Sequence, residues 1–405
     1  MSSIPVDVIT DILLRLLAKS LLRFKCVCKL WFNIINSSDF INPHVEQSNL
    51  HIIVTNPAVY ICDFDKFDNP TKLNYPLKNL EYGGLYIVGS SRGLLCFSMH
   101  SYPYTTFMYN PTTQTHKSLP YLPVLSTFQT PNGDPFHGLL GFGYDHVSED
   151  YKCVKIHQCD ADDGSGSFKS QVMVYSLRED SWKRGVHDVP YYFDSHLGYS
   201  ILLNGILHWS TEDDHREPLP LVGFNLNDET FSSVPLPDYH TEEESRMRAH
   251  IGVVDACLCL MYNYWCYCEV WIMKEYGVPA SWTKLCMVAK QGNYNDLRPL
   301  SFSKSKKELF VILTKANVAS LDLETLEIKN IQPPGLHRLW KAYVCSENLL
   351  MLKDAEYIRK GTQQLQNRST KMRKLLMRKT ERIMRFLDEG LRNDFGIPRP
   401  SNEQS

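Results

Sequence analysis

Four cysteines with regular spacing come closest to a chemical site in this sequence. Cys257, Cys259, Cys266 and Cys268 form two C-x-C pairs. Residues two apart on a β-strand point to the same face, so the pairs could converge across a hairpin that turns near residues 262–265. Structural zinc sites usually space their cysteines by two to four residues. The pattern therefore favours buried apolar cysteines over a metal site.

Other patterns of chemical interest are incomplete. The sequence has no Gly-x-Ser-x-Gly run that could form a nucleophile elbow. Residues 141–143 lack the third glycine and the following helix of a phosphate-binding loop. Residues 160–164 fail as a calcium loop, because placing Gly164 at its sixth position puts Cys159 at the first and Ser170 at the twelfth. We therefore predict no catalytic residue, no cofactor and no metal, and we do not expect an enzyme.

Composition indicates an ordinary globular protein. The chain has 405 residues, of which 43% are apolar and 22% are charged, and its net charge is −2. Charge alone gives the whole molecule no reason to bind nucleic acid or membranes. The N-terminal stretch carries Asp7, Asp11 and Arg15, unlike a secretory signal, and no run of 18 uncharged apolar residues occurs. We expect a soluble cytoplasmic protein, with the nucleus as an alternative location, whose 12 cysteines are mostly reduced.

Residues 4–36 have the periodicity of three short helices. Ile9, Leu13 and Leu16 recur at helical spacing, and Pro5 suits the first position of a helix. About 35 residues are too few to build a self-sufficient core. The helices are therefore either a cap on the next domain or a surface that a partner helix completes.

The same region resembles the F-box, a helical domain that binds the Skp adaptor of Skp–cullin–F-box (SCF) ubiquitin ligases. The resemblance rests on residues 4–9, 12–16 and 19–31 and continues to 38–40. Two residues depart from the family pattern, Ile4 in place of Leu and Leu17 in place of Pro. The resemblance implies that the adaptor contacts are made by Pro5, Ile9, Leu13, Leu16, Leu21, Leu22, Cys26, Val27 and Trp31.

After residue 50 the pattern changes to short strands separated by turns. A weak repeat is visible, because residues 174–177 and 181–182 parallel residues 270–273 and 281–282. Repeats of about 45–50 residues would fit this region six or seven times, which predicts an all-β propeller of six or seven blades. Two stacked β-sandwiches are the alternative.

This region is similar to the F-box-associated domain of plant F-box proteins, a kelch-like propeller. The matching segments are residues 141–145, 150–152, 174–177, 180–183, 203–209, 270–277 and 281–285. Residues 89–96 resemble the pollen S-locus F-box proteins, which act in self-incompatibility. That likeness would make a pistil S-ribonuclease the target.

The last part of the chain is different in charge. From residue 354 onward it holds 12 basic and 7 acidic residues, and residues 368–385 have the pattern of a basic amphipathic helix. Such a helix could bind nucleic acid, calmodulin, acidic lipid or a nuclear-import receptor, or it could dock on the acidic body of the protein. We predict a basic helix within a disordered tail.

The predicted fold class is α+β and multidomain. A three-helix F-box would span residues 1–45, the propeller residues 50–352, and the basic helix and tail residues 353–405. The sequence predicts a non-catalytic SCF subunit that holds a target protein near the ubiquitin donor. Its partners would be the Skp adaptor, through it the cullin and RING subunits, and the target; neither membrane nor nucleic acid is expected.

Target contacts are expected in the long polar loops on one propeller face, residues 128–137, 187–197 and 239–248. The sequence predicts no individual substrate-binding residue. The alternative function is a ligand-binding or enzymatic propeller with a helical N-terminal cap, which would act without any partner.

Overall fold

The computed structural model describes most of the chain up to residue 352. The described residues are 5–56, 58–75, 85–99, 105–122, 138–160, 168–185, 189, 191, 193, 200–209, 221–237, 248–290, 296–313, 317–331, 333–336, 339 and 341–352. The predicted basic helix lies outside them. Met1–Lys353 form one compact unit, separate from Asp354–Ser405. Within the described ranges, no helix has the length and apolar character needed to cross a bilayer.

Helices open the described chain, as predicted, but there are four rather than three. They are α1 (Val6–Leu14), α2 (Ala18–Phe24), α3 (Lys29–Asn36) and α4 (Ser38–Gln47). The prediction of a three-helix domain missed α4 because Pro43 lies inside it and removes a backbone hydrogen bond. Packing supports the helix instead, since Phe40, His44 and Val45 are buried along one side.

After residue 48 the described chain is built mainly of short antiparallel strands, with a single-turn 3-10 helix at Pro279–Ser281. In chain order they are β1 (Leu50–Asn56), β2 (Ala58–Asp63), β3 (Thr71–Lys72), β4 (Leu85–Ser91), β5 (Leu94–Met99), β6 (Thr106–Asn110), β7 (Thr115–Ser118), β8 (Leu139–Asp145), β9 (Asp150–Asp160), β10 (Phe168–Ser176), β11 (Ser181–Arg184), β12 (Ile201–Leu203), β13 (Ile206–Trp209), β14 (Leu221–Asn225), β15 (Phe231–Val234), β16 (Arg248–Val254), β17 (Cys257–Asn263), β18 (Tyr267–Met273), β19 (Trp282–Ala289), β20 (Leu297–Phe302), β21 (Glu308–Leu313), β22 (Asn317–Asp322), β23 (Ile328–Ile331) and β24 (Lys341–Ser346).

The strands form a six-bladed propeller. In the described chain they pair into six four-stranded antiparallel sheets, and five of these contain four consecutive strands. Each sheet has one edge strand that contacts the corresponding strand of the next sheet. These strands follow one another around a ring, from β4 through β8, β12, β16 and β20 to β24 and back to β4, and they are the innermost strands of the blades. Such a closed ring confirms the propeller, fixes the blade number at six and does not fit two stacked sandwiches.

Blade 1 closes the ring with strands from both ends of the propeller. Its order is β24-β1-β2-β3, and β1 runs antiparallel to β24 with Leu50 opposite Ser346. The last strand in sequence is therefore the innermost strand of the blade that begins the propeller. Blades 2 to 6 follow as β4–β7, β8–β11, β12–β15, β16–β19 and β20–β23.

The apolar core lies between neighbouring blades. Phe142 of blade 3 packs in one cluster with Cys96 and Met108 of blade 2. Gly141 lets blades 3 and 4 approach closely, because a Cβ atom there would stand 2.6 Å from Leu207 Cδ1. The glycine-rich segment 141–145 is therefore part of the blade architecture.

Candidate protein-binding surface on the N-terminal helices

The inner side of the four helices is packed against the end of the propeller chain. Leu13, Leu21 and Phe40 are at most 1% exposed and form one cluster with Leu349, which follows β24. The segment that contains Leu349, residues 347–352, is called the closing segment below. The helices thus have one side already covered by this chain.

Polar contacts hold the helices to the closing segment. Lys25 Nζ donates to the backbone oxygen of Leu349 at 3.2 Å, and burial lowers the pKa of this lysine. Ser48 Oγ donates to the backbone oxygen of Glu347 at 3.2 Å and accepts from the Glu347 N–H at 3.1 Å. These bonds fix the ends of α2 and α4 to the same short segment.

Arg92 links α4 to the propeller from the turn between β4 and β5. Its guanidinium donates to the backbone and side-chain oxygens of Asn42, both at 3.2 Å, and contacts Glu46 Oε1 at 3.3 Å. Its Cζ also lies 4.7 Å from the ring centroid of Tyr144. Arg92 has φ 42° and Gly93 has φ 79°, the signs required of a two-residue hairpin turn. The turn geometry therefore accounts for the positive φ of this arginine.

A buried network connects this turn to the closing segment. Asn348 Nδ2 donates to the Arg92 backbone oxygen at 2.6 Å and to Tyr151 Oη at 2.9 Å. Tyr151 Oη donates to the same Arg92 oxygen at 3.0 Å, and burial raises the pKa of this tyrosine. Asn110, fully buried, donates to the backbone oxygens of Asn348 at 3.0 Å and Leu350 at 2.8 Å. Blades 2 and 3 therefore both hold the closing segment.

The outer side of the helices is apolar and open to solvent. Seven of its apolar side chains are between 44% and 59% exposed, namely Val6, Val8, Ile12, Leu17, Val27, Leu30 and Phe32. We call this set the apolar helical surface. Charged side chains such as Asp7, Lys19 and Arg23 are exposed on the same helices. A concentration of apolar side chains with a polar surround is typical of a protein-binding site.

The residues predicted to contact an adaptor separate into three groups. Pro5, Cys26 and Val27 are exposed, and Ile9, Leu16, Leu22 and Trp31 are half-buried. Leu13 and Leu21 are 1% and 0% exposed, so they are core residues and their assignment as contacts is corrected. Both residues do lie on helices, as their periodicity indicates, but they face the closing segment rather than solvent. The contact role of the other seven stays a prediction.

Sequence reasoning did not single out six members of the apolar helical surface: Val6, Val8, Ile12, Leu17, Leu30 and Phe32. A signal was available in α1, whose apolar residues extend beyond one stripe. Ile12 and Leu13 are adjacent and apolar, yet one is 52% exposed and the other 1%. A helix that is apolar on two sides needs two partners, and the propeller supplies only one.

The cysteine pattern does not converge in the structure. Asn263 pairs with Cys268 across the β17–β18 hairpin, whereas Cys259 pairs with Ile272 four positions away. Cys257 and Cys259 therefore lie at the opposite end of the hairpin from Cys266 and Cys268. In the part of the chain that is described, no group of three or more His, Cys, Asp or Glu side chains could hold a metal ion.

The predicted target-binding loops fall almost entirely on residues outside the described ranges. Residues 128–137 lie outside them, as do 239–247 and most of 187–197. The strands on either side of each loop are described. All three loops join the outermost strand of one blade to the innermost strand of the next, so those strands end and begin at the same propeller face.

Comparison with known families matches both regions of this structure. Residues 1–42 match the F-box domain, and residues 63–325 match the F-box associated beta propeller domain. The second match alone covers more than half of the chain. The chain therefore belongs to the F-box proteins that carry an F-box-associated β-propeller.

Individual relatives agree with this assignment. F-box protein CPR1 of Arabidopsis thaliana is 33% identical over 97% of this chain and 99% of its own length. F-box protein At4g22390 of the same plant is 30% identical over 80% of this chain and 85% of its own length. F-box/kelch-repeat protein At3g23880, also from Arabidopsis thaliana, is 27% identical over 74% and 83% of the two chains.

Proposed function

We propose that this protein is the substrate-recognition subunit of an SCF ubiquitin ligase. The apolar helical surface binds a Skp adaptor, which connects the chain to the cullin and RING subunits. The propeller holds a target protein for ubiquitination and degradation. The chain itself performs no covalent step and contributes proximity, because tethering raises the concentration of the target near the ubiquitin donor.

The observation that carries this proposal is the two-sided packing of the helices. One side is buried on the closing segment, while Leu17 and Val27 on the other side are each 59% exposed. The F-box match over residues 1–42 supports a Skp adaptor as the partner of the open side. A helical cap that needed no partner would bury these side chains, so the alternative of a self-sufficient ligand-binding or enzymatic propeller explains them less well.

We place this assembly in the cytoplasm, with the nucleus as the alternative. Eleven cysteines in the described ranges are free thiols, and six of them are buried in the propeller, namely Cys62, Cys96, Cys153, Cys259, Cys268 and Cys345. Free thiols in this number are typical of reducing compartments. The protein should therefore stay folded when it is purified under reducing conditions.

A pistil S-ribonuclease target was suggested by the likeness of residues 89–96 to S-locus proteins. In the structure this segment contains the turn that holds α4 and the closing segment. Arg92 of this segment therefore has an architectural role in this protein. The S-ribonuclease target stays a prediction, and the double variant described below tests it.

The adaptor-binding proposal is tested with single aspartate substitutions on the apolar helical surface. We expect Leu17→Asp and Val27→Asp each to weaken binding to a purified Skp adaptor by about 30-fold or more, since a charge replaces a buried contact. Met287→Asp is the matched control, because Met287 is an equally exposed apolar residue, 55%, on β19. Normal adaptor binding by a Leu17→Asp/Val27→Asp double variant would refute the proposal.

The same double variant also identifies the target. It should hold its target without delivering it to the ligase, so the target accumulates on it in plant cells. Deleting the helices is a poorer choice, because it exposes Leu349 and the closing segment. Leu21→Asp is also unsuitable, because Leu21 is a core residue and the substitution would bury a charge among the helices.

A further inference from the structure

Blade 5 ends in a much longer outer strand than the other blades. The outermost strands of blades 1 to 4 and of blade 6, which are β3, β7, β11, β15 and β23, have two to four residues, whereas β19 has eight. Across the described residues, no further strand pairs with the outer side of β19. Proteins usually keep open edges short, because the free backbone groups of an edge can pair with another chain. The length of β19 therefore marks its edge as a candidate binding surface.

The second half of β19 contains no charged residue. Residues 285–289 read Leu-Cys-Met-Val-Ala, and we call them the open edge. Met287 is 55% exposed at its centre. The adjacent charge within the strand, Lys284, is directed onto β18, because its Nζ lies 2.6 Å from Glu269 Oε1 and 5.0 Å from the ring centroid of Trp271. The open edge therefore lacks the lysine that deters pairing at β3, β7, β11 and β23.

The register of β18 and β19 shows which backbone groups face outward. Lys290 N–H donates to the Cys266 backbone oxygen at 2.8 Å, so these residues form a hydrogen-bonded pair. Such pairs alternate along antiparallel strands, and the register therefore places Met287 and Ala289 where they do not bond to β18. In the ranges that the structure describes, no backbone hydrogen bond is made to their outward groups. Backbone donors and acceptors repeated every two residues are matched by an extended strand.

An exposed tryptophan lies near the end of the open edge. Trp265 is 82% exposed in the turn between β17 and β18, and it directly precedes Cys266, which pairs with the residue after the open edge. Two strand spacings are roughly 10 Å, so a segment that continues past the end of β19 can turn towards this indole. Tryptophan is enriched in the energetically dominant part of protein interfaces, and methionine is enriched in interfaces generally.

We propose that an extended, uncharged segment of the target protein pairs with the open edge as a fifth strand of blade 5. Its backbone bonds to the outward groups of Met287 and Ala289, and an aromatic or aliphatic side chain next to the pairing packs on Trp265. This inference rests on the proposed function and adds the chemistry of the target. A charged segment gains nothing from residues 285–289, whereas a neutral segment of high β-propensity matches them.

A second copy of this chain fits the same edge less well. Five residues of a strand span about 17 Å, whereas a stable complex buries about 800 Å² on each partner. The outer strands of the two neighbouring blades, β15 and β23, have four residues each and expose polar side chains such as Ser232 and Lys329. A contact between two rigid propellers would therefore stay small, while a flexible segment can follow the edge and then bend towards Trp265.

The test uses the full-length chain and a labelled nine-residue peptide of alternating Val and Thr with a Tyr at each end, followed by fluorescence anisotropy. We expect the wild-type chain to bind this peptide and Met287→Pro to weaken the binding about tenfold or more, because proline removes an outward N–H that β18 does not use. Met287→Leu is the matched control, since it keeps the N–H and an apolar side chain. The same peptide with every backbone nitrogen methylated should not bind.

Trp265→Ser keeps the test decisive even if proline disturbs the blade. Because Trp265 is 82% exposed, the substitution should leave the blade folded, and it should weaken binding of the Tyr-ended peptide more than that of a peptide ending in Ser. Failure of the wild-type chain to bind the peptide, or equal binding by Met287→Pro and Met287→Leu, would overturn the inference. A dimer seen by light scattering and lost in Met287→Pro would also overturn it, because it would assign the edge to a second copy.

Adaptor binding by the same variants separates this inference from the proposed function. Neither Met287 nor Trp265 belongs to the apolar helical surface, so both variants should bind the Skp adaptor normally. Loss of peptide binding with normal adaptor binding is therefore the expected result. A wild-type chain that binds the adaptor but not the peptide would remove the open edge as a target site and leave the ligase assignment standing.

Discussion

Replacing Arg92 with methionine should loosen the helices from the propeller while leaving each folded. The side chain of Arg92 is only 13% exposed, and methionine retains its apolar stem without the guanidinium. Two hydrogen bonds to Asn42 at about 1 kcal/mol each, with about 1 kcal/mol from the contact with Tyr144, give a loss of about 3 kcal/mol. The contact with Glu46 adds little, since Glu46 is 68% exposed.

Amide hydrogen exchange reports this loss directly. A cost of about 3 kcal/mol for local opening should raise the exchange rates of α4 amides on the order of 100-fold, while amides of the blade strands keep their protection. Arg15→Met is the control, because Arg15 is 76% exposed and its ion pair is with Asp11 of the same helix, α1. Adaptor binding should be retained, and ubiquitination of a bound target should fall because the helices and the propeller are no longer held in one orientation.

The reasoning would be refuted by α4 protection that changes less than about threefold in the Arg92→Met protein. It would also fail if the blades lost protection together with α4. The first outcome would mean that apolar packing around Leu349 holds the helices without Arg92. The second would mean that helices and propeller unfold as one cooperative unit.

Three further predictions concern stability. Gly93→Ala should lower the free energy of unfolding by well above the roughly 1 kcal/mol expected for Gly205→Ala. Both glycines have positive φ, but only a Cβ atom at Gly93 would collide with a neighbour, at 2.8 Å from the Ser346 backbone oxygen. Equal melting temperatures of the two variants would contradict this prediction. Burial lowers the pKa of His208 to about 4, so the unfolded chain binds a proton at a higher pH than the folded chain does. Stability should therefore fall by at most about 1.4 kcal/mol per pH unit as the pH drops from 6.5 towards 4. Urea titrations of His208→Gln should show no such dependence on pH. Phe310→Ala should cost about 3–5 kcal/mol in the same titrations, since Phe310 is 1% exposed, and Phe310→Leu should cost clearly less.

Much of this architecture could be predicted from local sequence. The spacing of Ile9, Leu13 and Leu16 indicates helices, and the recurrence of 174–177 with 181–182 in 270–273 with 281–282 indicates blades. These features depend on neighbours in sequence, so a single chain contains them. The number of blades could not be predicted from these repeats, because the blade that closes the ring contains β24, which is far from β1 in sequence.

The side of a helix that meets solvent could not be predicted in the same way. Ile12 and Leu13 are equally apolar, and the choice between them is made by Leu349, whose position depends on the closed propeller. The helix α4 was missed because Pro43 opposes it locally while tertiary packing supports it. The cysteine pattern was ambiguous for a related reason, since the register of β17 and β18 decides which cysteines meet.

The position of the closing segment has a consequence for synthesis of the protein. Lys25 and the Leu349 oxygen that it contacts are 324 positions apart in sequence. During translation the N-terminal helices leave the ribosome first, but the surface on which they rest does not exist until nearly the whole propeller has emerged. A nascent or prematurely terminated chain would therefore display both sides of its helices, so that only a completed polypeptide offers an adaptor the single correct side.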